Sequence, residues 1–528
     1  MQYNSWLYVI AFLGCTVLLY YVFPLRLRWN VLLGASVAFY LFASRQLILV
    51  TLLSAGIIYY GALEIDRGEK RYQQQKAALS KEEKKQLKER MKLRNRHVLT
   101  ASLAAAFGIL FFFKYFNFVS ANLDLLFRTL HLPVEIPLLN LLMPLGISFY
   151  TLSAVSYLVD VYRGVCEAQR NFAKLLLFLL FFPVITEGPI SRYGQLGPQL
   201  VEGHAFDYRK FCFGTQTILW GLFKSVVMAD RLAAVVRNIF STYSSHSGSV
   251  VIMTVMLYTL QIYMDFSGGI DIARGSAELF GITLAPNFAR PFFAASVNDF
   301  WRRWHISLGS WLRDYIFYPI SLSRPFQALS RKSRNRLNSY YAATIPALFA
   351  LLAVWLGNGI WHGAAWKYIC YGLYYYVIMA LGMLFEPLFV RLFELLHINR
   401  KGMICHVLQV CRTFILVNIG MLIFRADSLK TAWSMFCSMF RSNMEGSALA
   451  VFNEQGLPYQ QLKIILWGVA IVLVVSILQE RGIGIRELIG RRTLPVRWAI
   501  YIAAILVVVI AGAYGPGFGV VDFIYAQF

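Results

Sequence analysis

The stretch "WLYVIAFLGCTVLLYYVF" (Trp6–Phe23) runs for eighteen residues without a charge. A helix rises about 1.5 Å per residue, so about 20 apolar residues cross a hydrocarbon layer about 30 Å thick. Runs of similar character recur at 47–63 ("LILVTLLSAGIIYYGAL"), 98–113 ("VLTASLAAAFGILFFF"), 464–478 ("IILWGVAIVLVVSIL") and 498–514 ("WAIYIAAILVVVIAGAY"). Hydrophobic residues make up 58% of the chain and charged ones 15%, more apolar surface than a water-soluble fold can cover. In lipid, such unbroken stretches satisfy their own backbone only as helices. The prediction is an all-α polytopic membrane protein. The run at 6–23 has no basic start before it and no small-residue cleavage site after it, so it is expected to be a first transmembrane helix, not a removable signal.

The net charge of +23 is concentrated between the apolar runs. Residues 66–97 hold twelve Lys or Arg against five acids, and further basic clusters occupy 323–336 and 481–497. The positive-inside rule accounts for all three, with the bilayer as partner and no nucleic acid. It places 66–97 in the cytoplasm, with helices at 6–23, 29–44 and 46–64 before it and 98–120 after it. The segment "QQQKAALSKEEKKQLKERMKL" is expected to be a helix lying along the membrane surface. The last span, 498–514, then carries residues 515–528 to the outside. The chain divides into helices at 1–120, a core at 121–440, further helices at 441–514 and an aromatic tail.

Residues 140–370 differ in texture: "PLGISFY", "FFPVITEGPISRYGQLGPQL", "YMDFSGGIDIARG" and "GNGIWHGAAW" put Gly, Pro and charge into apolar runs. Broken, polar-bearing backbone at membrane depth belongs in a protein interior or a water-filled cavity, so the site is expected here. The seven cysteines are scattered without metal-ligand spacing. Of the eight histidines, two stand out. His362 lies between Trp361 and Gly363 in "GNGIWHGAAW". A neutral, desolvated imidazole there either bonds to a backbone carbonyl or takes a proton from a hydroxyl nucleophile. His305 lies in "NDFWRRWHISLGSWLRDYIFYPIS", as an interface anchor or as a group lining a tunnel, with Arg302 and Arg303 holding a phosphate-bearing donor. Asp265 and Asp271 are expected to pair with Arg274. Asn298 and Asp299 are expected to cap the His305 helix.

These two histidine blocks, 57 residues apart from histidine to histidine, resemble the signature blocks of the membrane-bound O-acyltransferase (MBOAT) family. The segments at 143–164, 181–193, 264–292 and 423–433 agree in order, and the resemblance is to the bacterial branch of alginate and peptidoglycan O-acetyltransferases and teichoic acid D-alanyl transferases. It implies a ring of roughly 11–13 transmembrane or re-entrant helices around a funnel. It implies an acyl group, most simply acetyl, taken from a cytoplasmic acyl-CoA or acyl-carrier-protein thioester and passed to an extracytoplasmic polysaccharide, with no permanently bound cofactor. His362 matches the family's catalytic histidine and His305 its second one; Trp304 and Trp361 are expected to line the substrate beside them. The ending "FIYAQF" resembles an F-x-Y-x-x-F motif, giving Phe523, Tyr525 and Phe528. It implies a terminal tyrosine entering the outer mouth of the tunnel as an acyl carrier, and a membrane-anchored extracytoplasmic partner to take the group onward; the plainer reading is an interfacial anchor. The alternatives are D-alanyl transfer from a carrier protein to teichoic acid and, in another class, a transporter or flippase. The expected location is the bacterial cytoplasmic membrane.

Overall fold

The computed structural model describes residues 1–334, 337–441 and 447–514. The tail containing Phe523, Tyr525 and Phe528 lies outside these residues. Among the described residues the chain is helical, with no strand beyond one isolated bridge. Eight stretches are long and apolar enough to cross a membrane, and Leu7–Val22 is a shorter apolar helix. This is a multi-pass membrane protein. It divides into two compact units, 1–215 with 273–285, and 216–272 with 286 onward.

In the first unit the helices reach well beyond the apolar runs. The 46–64 prediction becomes a 28-residue helix, Ile48–Gln75. The 98–120 prediction becomes a 49-residue helix, Lys81–Thr129, about 70 Å long and so over twice the hydrocarbon thickness. The segment expected on the membrane surface is therefore the end of one long helix and the start of the next, joined at Lys76–Ser80. Lys, Glu, Gln and Arg are good helix formers, and the local pairs Arg67–Glu64 (2.6 Å) and Lys70–Asp66 (2.6 Å) continue the helix past the apolar stretch. The second helix restarts on a capping box: Ser80 Oγ accepts from the Glu83 amide at 3.4 Å, and the Glu83 carboxylate accepts from the Ser80 amide at 2.8 Å. The two long helices are fastened by Asn95 Nδ2 donating to the Ile65 carbonyl at 3.3 Å and by an Arg94–Glu64 ion pair. Deeper in, the buried Lys114 ammonium donates to Ser148 Oγ at 3.0 Å.

In the second unit, Ser339–His362 and Trp366–Leu395 form a tight hairpin, followed by Met403–Arg425, Tyr459–Glu480 and Leu494–Ala511. Only 6% of the apolar window of Trp366–Leu395 and of Leu494–Ala511 is enclosed by protein, against 39% for Ser339–His362 and Met403–Arg425, so the latter two windows are the more enclosed. A wide π-type turn at Phe223–Ala229 buries Lys224, whose Nζ meets Asp271 Oδ2 at 2.7 Å and Ser267 Oγ at 2.9 Å. Asp271 thus takes a cation from a distant helix, Lys224, which the sequence did not single out as its partner. A desolvated ammonium must be paired, and the Asp271 carboxylate supplies the counter-charge.

Candidate functional site

The first histidine is placed by a loop that folds back on itself. Ser296 caps the short helix Val297–Arg303, its Oγ accepting from the Asp299 amide at 3.1 Å. Ser296, not Asn298 or Asp299, is the cap, and the helix ends before His305. Trp304 then forms an antiparallel bridge with Phe288, and the Ala289 amide donates to the Arg303 carbonyl at 2.9 Å. His305 itself has φ 47°, a left-handed conformation that turns the chain into the next helix, Ile306–Leu312.

Asn287 holds this turn. Its backbone carbonyl accepts from the Ile306 amide at 3.0 Å, and its Oδ1 accepts from the Ser307 amide at 2.9 Å. Because an amide N–H can only donate, that side-chain atom must be the oxygen. The His305 Nδ1 lying 3.3 Å from the same oxygen must then be the protonated nitrogen, which leaves the ring's lone pair on Nε2. His305 is 2% exposed.

His362 is the last residue of the Ser339–His362 helix and is 3% exposed. The hairpin that carries it is closed by glycine: a Cβ at Gly359 would collide with the Tyr368 carbonyl oxygen, and one at Gly372 with the Trp355 carbonyl oxygen. Gly359 lies three residues before His362, on the same helical face, so the close approach of the two helices fixes the imidazole. Its ring meets Phe424 edge-on at 5.1 Å and Tyr371 at 5.6 Å.

Trp361 joins the two histidines. Its ring lies 5.4 Å from His305 and 5.0 Å from His362. Phe266 closes the other side of His305 at 4.8 Å. Both imidazoles therefore sit in one aromatic enclosure built from four segments far apart in sequence. One turn before His362, Asn358 is 4% exposed, and its Nδ2 has no hydrogen-bond acceptor among the described residues.

The arginines separate. Arg303 bonds Asp299 at 3.1 Å and Glu480 at 3.1 and 3.2 Å. Partial burial works against its charge, but these two carboxylates outweigh it and hold its pKa above the usual value. Arg302 is exposed and in no ion pair among the described residues. Trp304 is buried against Phe288 and Tyr263, at 5.1 and 6.0 Å. Sequence reasoning passed over Asn287, Phe266, Tyr371 and Phe424. Phe266, Asn287 and Phe424 lie within the matching blocks, where only their block and not their role was visible; Tyr371 lies in a plain apolar helix with no signal.

The protein is thus an integral membrane chain that keeps two imidazoles dry and adjacent in its interior. The sequence profile of the membrane-bound O-acyltransferase family, MBOAT, matches residues 165–424. A teichoic acid D-alanyltransferase of Bacillus subtilis (strain 168) is 31% identical over 54% of this chain and 69% of its own. A probable alginate O-acetylase of Azotobacter vinelandii is 29% identical over 91% of this chain and 85% of its own. A peptidoglycan O-acetyltransferase of Helicobacter pylori (strain ATCC 700392 / 26695) is 28% identical over 84% and 80%. This chain belongs to the MBOAT family and is an acyltransferase.

Proposed function

We propose that the chain moves an acyl group, most simply acetyl, from a cytoplasmic thioester to a hydroxyl of an extracytoplasmic polysaccharide, across the cytoplasmic membrane of a bacterium. The observation that carries this reading is the joint enclosure of His305 and His362 around Trp361. Acyl transfer to a hydroxyl needs a base that is neutral before reaction, and a water-free site in which the thioester is not simply hydrolysed. His362 takes the hydroxyl proton as the oxygen attacks the thioester carbonyl. The new C–O bond forms, the C–S bond breaks, and the imidazolium returns the proton to the departing thiolate, so atoms and charge balance. His305, held by Asn287 with its lone pair left on Nε2, helps seat the donor with Trp304 and Trp361. Arg302 is the guanidinium left available for donor phosphates, since Arg303 is engaged by carboxylates.

Acetyl is favoured over D-alanyl because the relatives named for O-acetylation are matched over 85% and 80% of their length, against 69% for the D-alanyltransferase. The donor is acyl-CoA or an acyl carrier protein. Tyr525 is proposed as the first acceptor, its aryl ester activated for onward transfer, with Phe523 and Phe528 seating it and an extracytoplasmic, membrane-anchored partner relaying the group to the polymer. The test is mass spectrometry of the purified full chain after incubation with acetyl-CoA. An acetyl increment on the carboxyl-terminal peptide, abolished in His362→Ala and in Tyr525→Phe, is the expected result. An increment that survives His362→Ala sinks the mechanism; full polymer acetylation by Tyr525→Phe sinks the carrier role alone.

A further inference from the structure

The first unit contains a cavity of about 430 Å³ that the acyl-transfer reading does not use. Its wall is one face of the Ile48–Gln75 helix, where Tyr59, Asp66, Arg67, Lys70 and Arg71 follow one another at helical spacing, and Arg170, from a segment far away in sequence, also lines it. The volume falls in the range of small-ligand sites, about 300–1,000 Å³.

Its charge is not internally neutralised. Arg67 is matched by Glu64 at 2.6 Å, and Lys70 by Asp66 at 2.6 Å with Glu167 further off at 4.0 Å. Arg71 and Arg170 line the same cavity and take part in no ion pair among the described residues. The backbone that carries Arg170 is anchored. The Tyr59 hydroxyl donates to its backbone carbonyl at 2.6 Å, and the Tyr59 ring packs edge-on against Phe172 at 5.4 Å, which pins the turn to the helix. Two guanidiniums outside any ion pair among the described residues thus line one concave space. Guanidinium forks match phosphate oxygens bidentately, and unlike ammonium groups they lose little freedom in doing so.

The cavity's depth in the membrane narrows the occupant. Below it the same helix is apolar from Ile48 to Leu63, so the cavity lies where hydrocarbon gives way to charged headgroups. The basic stretch around it marks that boundary as the cytoplasmic one.

We propose that this cavity is a binding site for a phosphate-bearing anion, gripped by Arg71 and Arg170 at the cytoplasmic boundary of the membrane. Two sources share that chemistry: the headgroup of an anionic phospholipid and the phosphate end of a soluble nucleotide. The proposal does not depend on the acyl-transfer reading, and its test does not read transfer.

The full chain is placed in nanodiscs of phosphatidylcholine, with and without phosphatidylglycerol. Retained lipid is counted by native mass spectrometry, and binding of 3′-phosphoadenosine 5′-diphosphate is measured in lipid-neutral discs on an Arg302→Gln background, so that the guanidinium proposed for donor phosphates does not contribute. The Arg71→Gln/Arg170→Gln variant is compared with Arg324→Gln/Arg331→Gln, which removes the same charge from an exposed helix elsewhere. The expected result is a loss of about tenfold or more in affinity for one probe, confined to the first variant, with both variants unfolding at the wild-type temperature. Loss of phosphatidylglycerol identifies a lipid site, and loss of the nucleotide a soluble-ligand site. Equal losses in both variants, or none in either, overturn the proposal. If the double variant unfolds early, Arg71→Lys and Arg170→Lys keep the charge and remove the fork, and unchanged affinity in both then overturns the bidentate grip.

Discussion

The ring of Trp361 stands between the two buried histidines, 5.4 Å from His305 and edge-on to it. Being the residue next to His362, it makes the end of one membrane helix sense the turn that holds His305. Trp361→Leu opens a space beside both imidazoles without removing either. Loss of a large buried aromatic costs about 3–5 kcal/mol, and a displacement near 1 Å in a reacting group costs about 10²-fold in rate. The expected outcome is a fall in transfer of that order in membranes where the protein level, read by blotting, is still detectable. Trp361→Phe, which keeps an aromatic edge, recovers most of it.

Asn358 is expected to act on the chemistry more than on stability. It lies four residues before His362, so both side chains leave the helix on one face. Its amide Nδ2 is buried with no acceptor among the described residues, a costly state for a group that contributes only to folding. A donor near the proposed general base is suited to the oxyanion that forms on the acyl carbon. Asn358→Ala is predicted to reduce kcat by about 10²–10³ while the unfolding temperature stays level or rises. A fall in both together would assign Asn358 to packing.

How far the sequence shows the site follows from how local each signal is. His305 and His362 could be picked out because each is a polar residue in an aromatic, glycine-punctuated stretch, where solvation cost alone makes it conspicuous. Trp361 was visible by adjacency. Asn287 was not, since an Asn in a Pro-rich loop is unremarkable until the chain doubles back and gives its carboxamide oxygen to Ser307 and His305. The same reason hid Phe424 and Phe266. The projecting helices were misjudged in length because hydropathy locates where a chain leaves lipid, not where its helix ends; Lys, Gln and Glu leave the membrane and stay helical. The Lys224–Asp271 pair is not legible in the sequence because the two residues are far apart along the chain and only the fold brings them together.

That buried pair gives a prediction with opposite signs for one and two substitutions. Lys224 is buried and Asp271 partly buried, and they meet at 2.7 Å. Lys224→Met leaves a carboxylate without its main counter-charge and should destabilise by about 3–5 kcal/mol. Adding Asp271→Leu removes the stranded charge, so the double variant should recover much of the loss. Thermal unfolding in detergent of wild type, the two single variants and the double variant measures the coupling. A double variant no better than Lys224→Met would mean that Asp271 answers to another cation.

Glu480, the last residue of the Tyr459–Glu480 helix, is expected to position the His305 turn from outside the matched family region. It pairs with Arg290 and with Arg303, the two residues that flank the Phe288–Trp304 bridge. Arg290 is left-handed, φ 52°, so the loop is bent on one side and clamped on the other. All three side chains are partly solvated, and pairs of that kind contribute about 0–1 kcal/mol each; global stability should therefore barely change in Glu480→Gln. What should change is the order of the turn that carries Trp304 and His305. The prediction is a several-fold fall in kcat with KM for the acyl donor little altered, partial rescue by Glu480→Asp, and a wild-type rate that declines as salt screens the clamp. A KM effect with kcat intact would instead place Arg303 and its partners on the path by which the donor binds.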